Sequence, residues 1–346
     1  MARTLSRIGY RLGQSARVAW YASHYLALNR MRGPLVPEGE SRPAIKGRVP
    51  KWQGVVAQMR ALFERDWSNI ELGFYRAPAG LVAPSDAVAA SLRFFKDVRK
   101  VDERRLSRRH SEVLSEELRD RFPRYYLQNF HYQTDGWLSE NSAKLYDTQV
   151  EVLFAGTAGA MRRQALVPLS QILKGRDQRK LSMLEVACGT GGFVSDVLDN
   201  YPKLNVTAFD LSPAYVAEAK ARLRPRRNLA IVEGNAEVMP VADASQDVAV
   251  CIYLFHELPP KVRKSVVAEM ARVLKPGGTA IILDALQTGD TPDFDGLLEV
   301  FPIGFHEPYF TSYLSEDFAK LFGAQGFVQT SATPAFLSKT MVFEKL

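Results

Sequence analysis

Two cysteines in 346 residues, Cys188 and Cys251, are too few for a disulfide framework. Both fall in stretches that read as buried positions of a sheet, so they are expected to act as small apolar side chains in a reducing compartment. No run approaches the roughly 18 apolar residues of a membrane-spanning helix. No cluster of His, Cys and Asp has ligand spacing, so no metal site is expected. No repeat or low-complexity block interrupts the chain. Acidic residues are missing altogether before Glu38.

That last absence shapes the charge map. Residues 1 to 50 carry nine Lys or Arg (Arg3, Arg7, Arg11, Arg17, Arg30, Arg32, Arg42, Lys46, Arg48) against Glu38 and Glu40, and the whole chain has a formal charge of +7. Residues 51 to 346 therefore balance, and the basicity belongs to one end. On a helical wheel Leu5, Ile8, Leu12 and Ala19 fall on one side and Arg3, Arg7 and Arg11 on the other, with Trp20, Tyr21 and Tyr25 following. Three readings of residues 1 to 30 stand side by side: a helix lying on an anionic membrane surface, a mitochondrial transit peptide, and a helix that packs on its own domain. The expected location is cytoplasmic, at a membrane surface in the first case and mitochondrial in the second.

With 46% hydrophobic and 24% charged residues the composition is that of a globular protein, long enough for one large domain or two. Pro34, Pro37, Pro43 and Pro50 mark residues 33 to 50 as a linker. Beyond it helices are expected from Trp52 to about Trp67, from Asp86 to about Val98, from Leu138 to Phe154 and from Thr157 to near Leu173. The run Arg99, Lys100, Arg104, Arg105, Arg108, Arg109 is interleaved with acids, which describes a solvated helix face better than a nucleic-acid stripe. The expected division is 1–49 for the basic helix and linker, 50–175 for a helical cap, and 176–346 for an α/β domain.

The most informative stretch is residues 181 to 212. A short apolar run opens into the glycine-rich turn Cys188-Gly189-Thr190-Gly191-Gly192, and a second apolar run ends in Asp210. This spacing describes strand, tight loop, helix and a second strand whose terminal carboxylate returns beside the loop, the pattern of a nucleoside pocket. A dinucleotide fingerprint requires a third glycine, and that slot is Val194. Instead Glu185, Ala187, Gly189 and Gly191 place an acid and then small residues at every second position.

This pattern resembles motif I of class I S-adenosylmethionine (SAM) methyltransferases, with Ala187 where the family usually has glycine. The resemblance implies a doubly wound, mostly parallel, Rossmann-like seven-stranded α/β sheet and SAM as cofactor. It implies that Glu185 helps hold the ammonium end of SAM, that Asp210 takes both ribose hydroxyls, and that Asn235-Ala236 after strand 3 meet the adenine. Leu211 and Tyr253, just after strands 2 and 4, complete the implied cofactor set. The stretch Ala271-Arg272-Val273-Leu274-Lys275-Pro276-Gly277-Gly278, between a helix from about Lys261 to Leu274 and a strand from Thr279 to Leu286, looks like that of the methyltransferase group holding the ubiquinone and menaquinone C-methyltransferases. The resemblance covers roughly residues 180 to 346.

The acceptor is less legible. His256, at the mouth of the sheet after strand 4, is the candidate general base; a histidine bonded to a neighbouring loop would look the same. Two aromatic groups, Tyr125 to Trp137 and Phe301 to Tyr313, offer His131, Tyr132, His306 and Tyr309 as substrate-binding candidates, the second group implied by the resemblance to roof the acceptor pocket. A small lipophilic acceptor is expected, C- or O-methylated. No nucleic-acid partner is expected, because strand 4 ends Ile252-Tyr253-Leu254-Phe255 and not in the Asp/Asn-Pro-Pro-aromatic tetrad of amino-directed base methyltransferases. RNA methylation and non-catalytic SAM binding remain as alternatives.

Overall fold

The computed structural model describes every residue except Met1, Pro37, Glu38, Glu40, Arg42, Pro43 and residues 79–83; for residues 2–6 and Pro84 only the backbone is described. The first part of the chain is helical: α1 (Ala2–Met31), α2 (Trp52–Glu71), α3 (Pro84–Leu106), α4 (Glu116–Arg119), α5 (Glu140–Leu153), α6 (Ala158–Arg162) and α7 (Leu166–Leu173). Strands and helices then alternate: β1 (Ser182–Val186), α8 (Gly192–Asn200), β2 (Asn205–Asp210), α9 (Pro213–Leu223), β3 (Leu229–Glu233), β4 (Gln246–Ile252), α10 (Pro260–Val273) and β5 (Leu274–Ala285). The chain closes with α11 (Asp295–Gly304), α12 (Phe310–Leu314), α13 (Phe318–Gly323), β6 (Phe327–Ala335) and β7 (Ser338–Lys345). Two compact units result, one of residues 1–63, 77–159 and 292–308, the other of residues 64–76, 160–291 and 309–346. This division differs from the ranges 1–49, 50–175 and 176–346 expected from sequence.

The second unit holds a seven-stranded sheet in the order β3-β2-β1-β4-β5-β7-β6. All pairings from β3 to β5 are parallel, while β7 runs antiparallel to both β5 and β6. The sequence-level fold is thus present in full. The order reverses between β1 and β4, which opens a crevice at the carboxyl ends of the central strands, where ligands of such sheets bind. One sheet face buries Met183, Val206, Ala208, Val248, Val250, Ile281 and Leu283 under Leu169, Phe193, Val197 and Ala219. Continuous apolar strands follow from covering a parallel sheet on both faces.

Three element expectations change, the first being α3, which runs on to Leu106 instead of ending near Val98. The helix expected from Thr157 to Leu173 is broken by a 3-10 turn at Arg163–Ala165, where Arg163 turns inward to pair with Asp66 at 2.5 Å in the same unit. Strand β5 starts at Leu274 instead of Thr279, because Leu274 already pairs with Gln246 and a register shift absorbs the glycines.

The first unit is built on α1, α3 and α5, whose apolar cluster is Leu28, Phe94, Val98, Leu145 and Val152. Helix α1 does not stand apart. It buries Tyr10, His24 and Leu28, His24 Nε2 lies 2.8 Å from Ser91 Oγ, and Arg17 pairs with Glu151 at 2.6 Å. The opposite face is open, with Ile8 50%, Leu12 67% and Leu26 60% exposed. Arg3 and Leu5 of the expected wheel lie among residues whose side chains are not described.

The expected linker is also tied down. The Gly33 amide donates to Asp102 Oδ2, Arg105 donates to the carbonyls of Pro34 and Leu35, and the Lys46 and Gly47 amides donate to Glu299. The described residues of this stretch form no helix or strand, and proline spacing says nothing of tertiary partners. Arg105 likewise leaves the expected solvated face: it is buried and bonded to Asp102 through Nε and Nη2.

Candidate functional site

The loop leaving β1 is shaped by three residues in left-handed backbone. Ala187, Gly189 and Gly191 have φ of 55°, 55° and 74°. At Gly191 a β-carbon would also stand 2.7 Å from Leu223 Cδ1, so both conformation and close packing demand glycine. Ala187 adopts the same region without glycine's freedom, and the methyl expected to tighten the loop is held there at a conformational cost. Gly191 caps α8, and Val194, in the slot of the missing third glycine, is wholly buried in the core. The helix is therefore seated by apolar packing at that position.

Asp210 closes the loop from the end of β2. Its Oδ2 accepts the Gly189 amide at 2.9 Å and its Oδ1 the Ser212 amide at 2.8 Å. The Leu211 amide donates to the same carboxylate, and with about four lone-pair sites on its two oxygens the group that fixes the loop still has acceptor capacity. Burial pushes its pKa up, against those amide donations. Leu211, half-buried, follows directly.

Glu185 is 2% exposed at the end of β1, takes a hydrogen bond from the Val194 amide, and has Oε2 without a partner among the described residues. Burial lifts its carboxyl to about 8, against the pull of Arg162 and with the push of Asp196 and Asp210. An orphaned buried carboxylate oxygen beside a left-handed glycine loop fits the ammonium group of an amino-acid moiety. Arg162, missed in the sequence, reaches the same place: a β-carbon on Gly192 would meet its Nη1 at 2.6 Å. The only sequence signal was an arginine pair ending α6.

Asn235 and Ala236 are half-buried after β3, and Asn235 Oδ1 accepts the Glu237 amide at 2.9 Å, forming a turn that holds the pair in place. Tyr253 follows β4 in a left-handed conformation, φ 56°, its amide bonded to Leu283 O.

His256 lies in a 3-10 turn after β4, buried, with Nδ1 2.6 Å from Asp284 Oδ1. Asp284 is fully buried at the end of β5 and also accepts the amides of Phe255 and Ala285. A carboxylate so anchored orients the imidazole and leaves Nε2 as the nitrogen able to take a proton. The rings of Tyr253, Phe310 and Tyr313 surround it at centroid distances of 6.4, 5.9 and 6.1 Å. Glu257 Oε1 stands 3.9 Å from Nε2.

The substrate-binding candidates are split between the units. His131, Tyr132 and His306 come together in the first: the His131 amide donates to His306 O, and the Tyr132 and His306 rings are 5.8 Å apart. His306 stacks on His110 at 4.2 Å, and burial together with that neighbour lowers its pKa to about 4, so it is neutral near pH 7. Tyr309 belongs to the second unit, where its carbonyl accepts from Arg263 Nη2. The aromatic stretch after β5 is divided between the units at Pro308 and Tyr309. Both cysteines are buried thiols whose pKa burial raises.

Residues 183–278 match the family model described as "Methyltransferase domain". Among curated relatives, the chain is 31% identical over 162 residues to a demethylmenaquinone methyltransferase of Beutenbergia cavernae, covering 47% of this chain and 62% of the relative. It is 28% identical over 162 residues to a ubiquinone/menaquinone biosynthesis C-methyltransferase of Methylobacterium nodulans, covering 46% and 62%. It is 34% identical over 110 residues to a sterol 4-C-methyltransferase of Caenorhabditis elegans, covering 31% and 32%. Each match spans less than two thirds of the relative's length.

Proposed function

We propose that this chain, whose C-terminal half carries a class I SAM-dependent methyltransferase domain, methylates a small lipophilic acceptor at carbon or oxygen. The observation that carries the reading is the arrangement at β1 and β2, where Asp210 shapes a left-handed loop and Glu185 presents an orphaned oxygen beside it. SAM, when bound, supplies an activated methyl group. Glu185 and Arg162 offer opposite charges for its ammonium and carboxylate, Asp210 takes the ribose hydroxyls, and Asn235 with Ala236 meets the adenine.

For a phenol, an enol or an acidic carbon, the remaining demands are alignment and removal of one proton. His256 Nε2, oriented by Asp284 and ringed by aromatic side chains, is suited to take that proton. The relatives named for quinone and sterol methylation support an apolar acceptor. The exposed apolar stripe of α1, in a segment carrying the chain's whole charge excess, supports delivery of that acceptor at an anionic membrane surface. No helix among the described residues is long and apolar enough to cross a membrane. The test is transfer of label from methyl-labelled SAM to a prenylated quinol lacking a ring methyl. Wild type should label it and Asp210→Ala should not; SAM binding without transfer to any acceptor would favour an assembly role.

A further inference from the structure

The first unit contains a cavity of about 80 Å³ between α1, α3 and α5, walled mainly by Leu28, Phe94, Val98, Trp137, Tyr146 and Phe305. One cation stands in this apolar wall. Arg32, just past the end of α1, lays its guanidinium over the Phe305 ring at 5.5 Å. The acid that acts on it through space, Asp102, is bonded elsewhere: Oδ1 takes Arg105 Nε and Nη2 at 3.0 and 2.6 Å, and Oδ2 takes the Gly33 amide. Asp97, the acid in the cavity wall, accepts from Thr134 at 2.7 Å, and Thr134 accepts from Arg104. Among the described residues no carboxylate lies within ion-pair distance of Arg32, and burial with the charge of Arg105 lowers its pKa.

A second observation points to the same place. His131, which lines the cavity, and Tyr132 and Asp135 beside it have φ of 54°, 57° and 63°. Left-handed backbone at non-glycine residues costs energy and gathers at functional sites. Here it sets His131 and Trp137 into the wall, with His131 Nε2 held 2.7 Å from Glu307 Oε1. A planar guanidinium with no carboxylate at ion-pair distance among the described residues, set in an aromatic wall, recovers its lost solvation from a planar two-oxygen anion.

We propose that this cavity binds a small amphiphilic carboxylate, its head on Arg32 and its ring or alkyl body among Leu28, Phe94 and Trp137. The site lies wholly within the helical unit and does not depend on methyl transfer. A fatty acid and an aromatic acid share this chemistry, so octanoate and benzoate are the two probes, with octanol and benzamide as neutral counterparts. Calorimetry on the full chain should show binding of at least one carboxylate. Arg32→Gln should weaken it about tenfold or more while leaving the neutral partner unaffected. Preference for octanoate identifies a lipid source and preference for benzoate a soluble aromatic one. Ligand-free Arg32→Gln should melt no lower than wild type, because it removes a charge whose burial and repulsion by Arg105 outweigh the pull of Asp102. Equal binding of acids and neutral analogues, no binding of either acid at millimolar concentration, or a lower melting temperature for Arg32→Gln would overturn the proposal; the last would make Arg32 a packing residue.

Discussion

His256 and Asp284, 28 positions apart in sequence, meet through Nδ1 and Oδ1 at 2.6 Å at the carboxyl ends of β4 and β5. The pairing gives each residue a separate signature. If His256 takes the acceptor's proton, His256→Ala should lower turnover about 100-fold or more with SAM affinity nearly unchanged. Asp284→Asn, which leaves the imidazole without its anionic partner, should lower turnover about 10- to 100-fold and shift the pH profile of the rate. Equal turnover in all three proteins, measured with the true acceptor, would reduce the pair to a structural contact.

Glu185 makes the ligand-free domain sensitive to pH. Its folded pKa of about 8 lies above the ordinary value of 4.5 because of burial. The stabilisation from the protonated form is therefore complete below about pH 4.5 and is lost as pH rises through 8, a change on the order of a few kcal/mol. Glu185→Gln should melt higher than wild type near pH 8 in the absence of SAM and lose this pH dependence. It should also bind SAM more weakly. A wild-type melting curve that rises between pH 6 and 8 while that of the Gln variant stays flat would contradict the orphaned-carboxylate account.

Ala187 tests the loop geometry. Left-handed backbone costs a non-glycine residue about 1–2 kcal/mol, and glycine's extra unfolded-state freedom offsets about 0.5–1 of that. Ala187→Gly should therefore raise the melting temperature by about 1–3 °C, read by calorimetry. A fall in melting temperature would mean that the methyl packs favourably and that φ is not the governing factor.

Helix α1 buries one face and exposes the other, so point variants test membrane binding better than truncation, which would strip Tyr10, His24 and Leu28 from the core. Full-length wild type should sediment with anionic vesicles at low salt and less so as salt rises, since each basic residue near the surface contributes about 1 kcal/mol and is screened. The Leu12→Asp and Leu26→Asp double variant should stay in solution with an unchanged melting temperature. Co-sedimentation of both proteins alike would leave α1 as a packing element alone.

The β1-to-β2 segment was legible because its information is local: strand length, glycine spacing and one terminal acid fix loop, helix and carboxylate together. Asp284 was not, since an acid ending a buried strand gives no hint of the histidine that joins it from another strand. Arg162 was hidden for the same reason, in a stretch read only for its helical period. The wheel of α1 grouped Ile8 and Leu12 on one side without deciding whether that side packs or is exposed, and the tyrosine, histidine and leucine that anchor the other side gave no separate pattern. Positive φ at Ala187, His131 and Tyr132 has no sequence signature, because those residues take left-handed backbone only under tertiary constraint.

The central claim is methyl transfer to a lipophilic acceptor. It is tested most directly by incubating the purified full-length protein with methyl-labelled SAM and, separately, lipid, RNA and polar-metabolite fractions. Label should enter the organic-extractable fraction with wild type and vanish with Asp210→Ala. Label in RNA or in polar metabolites, with the lipid fraction blank, would contradict the account.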